Sequence, residues 1–128
     1  MDPEWIKCYT IARRVPFQYR IFADRIETGT AQPKGHWKPG PVFTAQHIDA
    51  MLIALQDHFG HEGFPLANSA TEVRTGAAAP GIGSFYFNAD PQHANPPDTS
   101  KLVAILDQLG VLVPCAHNIR RSRLWTIA

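Results

Sequence analysis

Apolar side chains recur every three or four residues in two stretches of the chain, and this spacing predicts two helices. The first begins after Thr44, whose hydroxyl can accept a hydrogen bond from the first turn, and ends before Gly60. Its apolar positions are Ile48, Met51, Leu52, Leu55 and Phe59. The second opens at Asp98 or Thr99 and ends at Gly110, with Leu102, Val103, Ile105, Leu106 and Leu109 on its apolar side. A shorter helix is predicted over residues 69–74, where Ser69 and Glu72 have capping-box spacing.

Residues that favour strands fill most of the remaining apolar segments. Strands are predicted over residues 5–12, over the aromatic run 84–88, and over 111–113 with 123–127 as its antiparallel partner. Residues 17–26 fit both strand alternation and helical spacing, and the strand is favoured. Proline and glycine cluster at residues 32–41, 77–83 and 90–98, and these segments are predicted to be loops.

The length predicts one domain, and the predicted helices and strands place it in the α+β class. The chain has 128 residues, 45% of them hydrophobic and 18% charged, which excludes a disordered polyelectrolyte. It has no run of 18 apolar residues and no leader-type N-terminus, so we expect a cytoplasmic protein without a membrane partner. Cys8 and Cys115 are far apart in the sequence and indicate no disulfide framework.

Charge is distributed unevenly along the chain. Residues 1–43 carry seven basic and four acidic side chains, and residues 101–128 carry four basic and one acidic. Residues 44–63 carry three acidic side chains and no lysine or arginine. The two ends are therefore basic and the middle is acidic, a polarity that can steer an anionic partner to one side of the molecule.

The C-terminal run KLVAILDQLGVLVPCAHNIRRSRLWTIA combines a helix, a glycine, an apolar strand, a basic loop and a final strand. This order resembles the recognition helix and wing of winged helix-turn-helix domains, with Leu102, Leu106, Leu109 and Gly110 as the matching helix and exit positions. The resemblance implies a single domain in which residues 44–128 form a winged-helix-like part and residues 1–43 a basic β-rich extension. It also implies a non-enzymatic, regulator-type nucleic-acid-binding module. Ser100, Lys101, Asp107 and Gln108 would form the exposed face of the recognition helix.

Arginines near the predicted hairpin tip are the main candidates for binding phosphate. Guanidinium groups are permanently charged and can bond phosphate in a bidentate way, which suits Arg120, Arg121 and Arg123 to this role. Lys101, Arg13 and Arg14 are predicted to extend the patch, and Arg20 could join it. The alternative is a solvated hairpin whose arginines keep an edge strand soluble.

Trp37 and Lys38 are candidate partner contacts in the predicted loop KGHWKPGP. A tryptophan among cations can stack on a base or anchor a protein contact, or it can fold back over a sheet. A protein-binding adaptor or inhibitor is therefore the alternative function, and a homodimer is left open.

Metal and catalytic signatures are sparse, and no cofactor is predicted. His58, His61, Cys115 and His117 could supply four zinc ligands, although they lack the usual paired spacing, so a small metal-dependent enzyme is the third hypothesis. The glycine-containing segment 79–84 is expected to precede a strand, whereas phosphate-cradling loops open a helix. No nucleophile motif is present.

Overall fold

The first third of the chain folds into an antiparallel sheet whose strands follow one another in chain order. The computed structural model describes residues 1–115 and 124–128. The four strands of this first sheet are β1 (Ile6–Tyr9), β2 (Pro16–Ile21), β3 (Arg25–Ala31) and β4 (Trp37–Thr44). The predicted loop over residues 32–41 is therefore wrong at its C-terminal end, because β4 begins at Trp37.

Residues 17–26 contain most of β2, the turn that follows it and the first residues of β3. The strand prediction is confirmed, but the segment turns after Ile21, and the backbone N–H of Phe22 donates to the carbonyl of Arg25 at 2.8 Å. Alternation across this turn places Tyr19 and Ile26 on the same buried face of the sheet. The same buried face carries three cross-strand pairs, Cys8 with Phe17, Tyr19 with Thr28 and Ile26 with Phe43.

Helix α1 (Ala45–Phe59) begins directly after β4, where the sequence predicts it. The hydroxyl of Thr44 accepts a hydrogen bond from the backbone N–H of His47 at 3.1 Å, and Gly60 ends the helix at a φ of 58°. Met51 and Leu55 are fully buried. Burial of side chains of this size contributes roughly 1.5–3 kcal/mol each relative to exposure, so one face of α1 anchors the helix to the core.

Two short elements follow α1, the strand β5 (Phe64–Pro65) and the helix α2 (Ala70–Thr75). The prediction of α2 is confirmed with Ser69 at its N-cap, but the Ser69 side chain makes no capping bond. The strand β5 was not predicted from the sequence. It is only two residues long, too short to show an alternating pattern.

The aromatic run at residues 84–88 lies in helix α3 (Ile82–Ala89), and the predicted strand there is wrong. The Ser84 hydroxyl accepts from the backbone N–H of Gly81 and donates to the Gly81 carbonyl, which fixes the first turn. Tyr86 is buried, while Phe85 and Phe87 are half-buried beside it. The ring of Tyr86 stacks on His47 of α1, with centroids 4.2 Å apart, and packing against α1 thus overrides the strand propensity of three consecutive aromatic residues.

Helix α4 (Thr99–Gln108) leads through Gly110, at a φ of 76°, into strand β6 (Leu112–Pro114). Strand β6 pairs antiparallel with β7 (Leu124–Ile127), so the predicted helix and hairpin are confirmed. β5 pairs with the other edge of β7, giving a second sheet of order β5-β7-β6. One continuous cluster of buried side chains joins this sheet to the first sheet and to α1, α3 and α4. Within the described residues, no helix is both long and apolar enough to cross a membrane.

Candidate functional site

Helix α4 has buried side chains on every side. Residues Leu102, Val103, Ala104, Ile105 and Leu106 are consecutive, and each is 5% exposed or less. Because successive helical residues are about 100° apart, five buried neighbours cover the whole circumference of a helix. α4 is therefore a central core helix along most of its length.

The polar positions of α4 face the first sheet. The Tyr19 hydroxyl donates to Oε1 of Gln108 at 3.0 Å, and Nε2 of Gln108 donates to the carbonyl of Lys7 at 3.4 Å. At the other end of α4, the carbonyl of Ser100 accepts from the backbone N–H of Ile11 at 3.3 Å. The expectation that these positions form one exposed recognition face is corrected in part. Ser100, Lys101 and Asp107 are half-buried, and Gln108 is exposed but bonded to the first sheet.

Lys101 and Lys38 line one open cleft between β4 and the beginning of α4. The cleft has a volume of about 400 Å³, and its other polar lining comes from Thr30, Gln32 and Asp98. A Cβ atom on Gly40 would lie 3.6 Å from Nζ of Lys101, so the backbone of β4 runs close to this ammonium group. Two cationic side chains 63 positions apart in the sequence therefore reach the same cleft.

Asp98 is the acidic group in the cleft. Burial raises the pKa of the Asp98 carboxyl above its usual value, while a hydrogen bond with Asn95 and the charge of Lys101 act in the opposite direction. Asp98 therefore gains a proton more readily than an exposed aspartate does. Its protonation leaves the positive charges of Lys38 and Lys101 less compensated.

Arg13 and Arg14 lie in the exposed turn between β1 and β2. The hydrogen bond from Ile11 to Ser100 ties this turn to the first residues of α4, next to Lys101 in the chain. Arg14 has a positive φ of 53°, and its guanidinium lies 5.3 Å from the centre of the Tyr9 ring. The structure thus links the predicted basic turn to the part of α4 that carries Lys101.

Ion pairing separates the basic residues of the first sheet and of the start of α4 into two groups. Arg20 and Arg25 both bond to Glu27, at 2.9 and 3.0 Å, and these bonds lower the pKa of the Glu27 carboxyl. Lys38, Lys101, Arg13 and Arg14 have no carboxylate within 4.0 Å in the part of the chain that the structure describes. Arg20 therefore belongs to an internal charge network, whereas the other four cations are available to an anionic partner.

Trp37 lies at the start of β4 and not in a loop. Its side chain lies over Gly29 of β3, where a Cβ atom would collide with the indole ring, and its ring centre lies 4.7 Å from that of Trp5. Trp37 still exposes 39% of its surface. It has therefore folded back over the sheet and kept an accessible ring.

Four predicted site residues lie outside the part of the chain that the structure describes, namely Arg120, Arg121, Arg123 and His117.

The predicted zinc ligands that the structure describes lie apart from one another. His58 packs its ring against Phe59 and Phe85, with centroids 4.6 and 5.2 Å away. Among residues 1–115 and 124–128, no three His, Cys, Asp or Glu side chains form a potential metal site, so His58, His61 and Cys115 are not brought together as ligands.

The glycine-containing segment 79–84 opens helix α3, which corrects the expectation that it precedes a strand. The backbone N–H of Gly83 donates to the carbonyl of Leu66 at 2.8 Å, and Gly81, Ile82 and Gly83 are all buried. The segment between β5 and α2 therefore occupies the space that a phosphate would need at this helix N-terminus.

An apolar groove, which the sequence did not predict, runs between the β2–β3 turn, α1 and the end of α4. Its volume is about 310 Å³. Apolar side chains dominate its lining, among them Ile21, Ile48, Leu52, Leu109 and Val111. Asp49 of α1 and Arg25 of β3 add polar groups to this lining.

Comparison with known proteins adds no family assignment. No protein-family model, curated protein or solved structure matches the chain significantly.

Proposed function

We propose that this protein is a non-enzymatic nucleic-acid-binding module that contacts the phosphate backbone through the cations around the Lys38–Lys101 cleft. The observation that carries the proposal is the convergence of Lys38 and Lys101, both without a carboxylate partner in the described residues, on one open cleft. Ammonium and guanidinium groups of this kind supply the sequence-independent part of nucleic-acid affinity.

The basic turn and the C-terminal arginines extend this surface in the proposal. Arg13 and Arg14 belong to a turn bonded to the first turn of α4. Arg120, Arg121 and Arg123 lie in the connection between β6 and β7, two strands that form an antiparallel pair. The helix followed by a hairpin supports the resemblance to winged-helix domains, and the arginines occupy the chain position of a wing.

Burial of α4 defines the mode of binding that we propose. Base readout in the major groove needs a helix with several free polar side chains. In α4, Ser100, Lys101 and Asp107 are half-buried, and the exposed Gln108 is bonded to Tyr19 and to the carbonyl of Lys7. We therefore expect contacts to phosphate without base readout by this helix.

Salt-dependent binding of a labelled duplex of random sequence tests the proposal. Fluorescence anisotropy at about 50 and 200 mM salt should show binding that weakens steeply, because each phosphate contact releases counterions. Lys101→Gln should reduce the log–log salt slope by about 0.9, the value for one phosphate contact on duplex DNA. Arg120, Arg121 and Arg123 changed together to Gln should cause a larger loss.

Arg74→Gln is the matched control for Lys101→Gln. Arg74 is exposed on α2, its guanidinium lies 5.5 Å from the centre of the Phe87 ring, and it does not line the cleft. The control removes the same charge and should leave the salt slope unchanged. Absence of duplex binding at low salt, or equal losses in both variants, would contradict the proposal.

Protein binding is the second candidate function, and the apolar groove favours it. Apolar side chains from β2, α1 and the end of α4 line an open groove of about 310 Å³. A partner held by such a surface would bind with a shallow salt dependence and would be insensitive to Lys101→Gln. The salt series therefore separates the two candidates.

A further inference from the structure

The outer face of the first sheet carries a row of aromatic and guanidinium groups. Trp37 lies over Gly29 and contacts Trp5, with ring centres 4.7 Å apart and planes inclined at 53°. The guanidinium of Arg20 lies 4.4 Å from the centre of the Trp5 ring and 5.1 Å from that of Phe22. Two exposed or half-buried tryptophans thus lie side by side on a rigid antiparallel sheet.

Gly29 accounts for the position of the Trp37 ring. The ring occupies the place where any side chain at residue 29 would begin, so its inner surface rests on the backbone of β3. The ring is thereby held against the sheet while 39% of the side chain remains exposed. A flat, immobilised aromatic ring loses little conformational entropy when a second ring stacks on it.

Charge differs between the two ends of this row. At the Arg20 end, Glu27, Asp2 and Asp24 bond to Arg20 and Arg25 and compensate their charges. At the Trp37 end, Lys34 and Lys38 are exposed and have no carboxylate within 4.0 Å in residues 1–115 and 124–128. Lys34 and Lys38 flank Trp37 in the chain, and the Lys38 side chain lies on the opposite face of the edge strand β4, in the cleft with Lys101 and Asp98. A chain of phosphates that passes around this sheet edge would meet positive charge next to the residue that carries the accessible ring.

We infer that Trp37, flanked in the chain by Lys34 and Lys38, is a stacking site for an unpaired base of a single-stranded nucleic acid. Bases stack on aromatic side chains regardless of sequence, and neighbouring cations hold the backbone phosphates. Trp37 and Lys38 are consecutive residues of the edge strand β4, so the stacking site and the proposed phosphate surface meet at this edge from its two faces. This inference rests on the proposed function and names single-stranded segments as its ligand.

Tryptophan fluorescence with a fifteen-nucleotide oligo(dT) tests the inference on the full chain. Trp5 and Trp37 lie on the outer face, whereas Trp125 is 1% exposed, so stacking should quench part of the emission and leave the Trp125 contribution. Trp37→Ala should abolish most of the quenching and weaken oligo(dT) binding about 5- to 150-fold, the range for one stacked base. Trp37→Phe, which keeps a ring on Gly29, should bind with intermediate affinity.

Ile53→Ala is the control for Trp37→Ala. Ile53 is 63% exposed on α1 and lines neither the cleft nor the apolar groove, so the change removes an exposed apolar side chain away from the first sheet. This variant should retain oligo(dT) binding. Equal losses in Ile53→Ala and Trp37→Ala, or Trp37→Phe with full affinity and no change in quenching, would overturn the stacking site.

Parallel titrations with duplex and oligo(dT) distinguish failure of this inference from failure of the proposed function. Duplex binding without oligo(dT) quenching overturns the stacking site and leaves the proposed function standing. Absence of binding to both probes overturns the two together. Loss of oligo(dT) binding in Trp37→Ala, with duplex binding retained and an unchanged circular dichroism spectrum, supports the stacking site.

Discussion

At the residue scale, the burial of Asp98 affects both the stability of the fold and the net charge of the cleft. Its carboxyl lies half-buried in the cleft between Lys101 and β4, and burial raises its pKa. A carboxyl whose pKa is raised in the folded state stabilises the fold at pH values below its unfolded pKa. That contribution is lost as the pH rises through the folded pKa.

Asp98→Asn should therefore raise the thermal midpoint at pH 7. The amide has the shape of the carboxyl but no charge to desolvate, and the Asp98 side chain makes no capping bond that the change would remove. The difference from the unchanged protein should vanish as the pH falls below the pKa of Asp98. Thermal unfolding followed by circular dichroism between pH 3 and 7 measures this, and a lower midpoint at pH 7 would contradict the assignment.

The identities of single residues did not reveal which cations are free to bind an anion and which are paired with an acidic side chain. The sequence selected Lys101, Arg13 and Arg14 because of their charge, and the structure bonds the turn that carries Arg13 and Arg14 to Ser100, the residue before Lys101. Arg20 has the same charge but bonds to Glu27 across the β2–β3 pair. Cross-strand register decides this pairing, and register is a tertiary property that a list of charges does not contain.

At the element scale, capping residues predicted where helices begin and end. Residue propensities were less reliable in predicting whether a segment forms a helix or a strand. α1 begins and ends at Thr44 and Gly60, as predicted, because both residues satisfy geometric needs of the backbone locally. The aromatic run 84–88 was assigned to a strand on propensity, and it forms α3. Its Tyr86 ring packs between His47 and Phe43, a contact that local sequence does not show.

Thr44→Ala tests the capping of α1. The change removes the acceptor for the backbone N–H of His47, and loss of such a cap costs about 1 kcal/mol of the free energy of unfolding. Urea unfolding should show this loss at an unchanged m value. Gln46→Ala, in the same exposed first turn, is the control and should have a much smaller effect.

At the scale of the whole molecule, the first sheet is an integral part of the fold. The sequence predicts residues 1–43 as an extension to a winged-helix-like part. In the structure their inner face shares one core with α1 and α4, through residues such as Phe17, Tyr19 and Phe43. The sheet therefore both completes the core and covers the polar side of α4.

Tyr19→Phe tests whether the sheet and the helices form one cooperative unit. The change removes the hydrogen bond from the Tyr19 hydroxyl to Gln108, with an expected cost of about 1 kcal/mol. Some amides exchange only when the whole domain unfolds. For these amides, hydrogen exchange should show equal losses of protection free energy in β2 and in α4. A loss confined to the first sheet would instead identify residues 1–43 as an independently unfolding extension.

The sequence by itself determined the features that depend on neighbouring residues. It specified the α+β class, the boundaries of α1 and α4, and the C-terminal hairpin, because capping, apolar periodicity and glycine turns act over a few positions. It also identified Trp37 and the basic residues as candidates, since residue type alone defines their chemistry.

Only the tertiary structure decided which of these features can act together. It placed the first sheet over α4, brought Lys38 to Lys101, and laid Trp37 on Gly29 beside Trp5. Each of these contacts joins segments whose proximity depends on strand register and on packing around a shared core. Such long-range contacts are fixed by the burial of the whole chain and leave no periodic trace in its sequence.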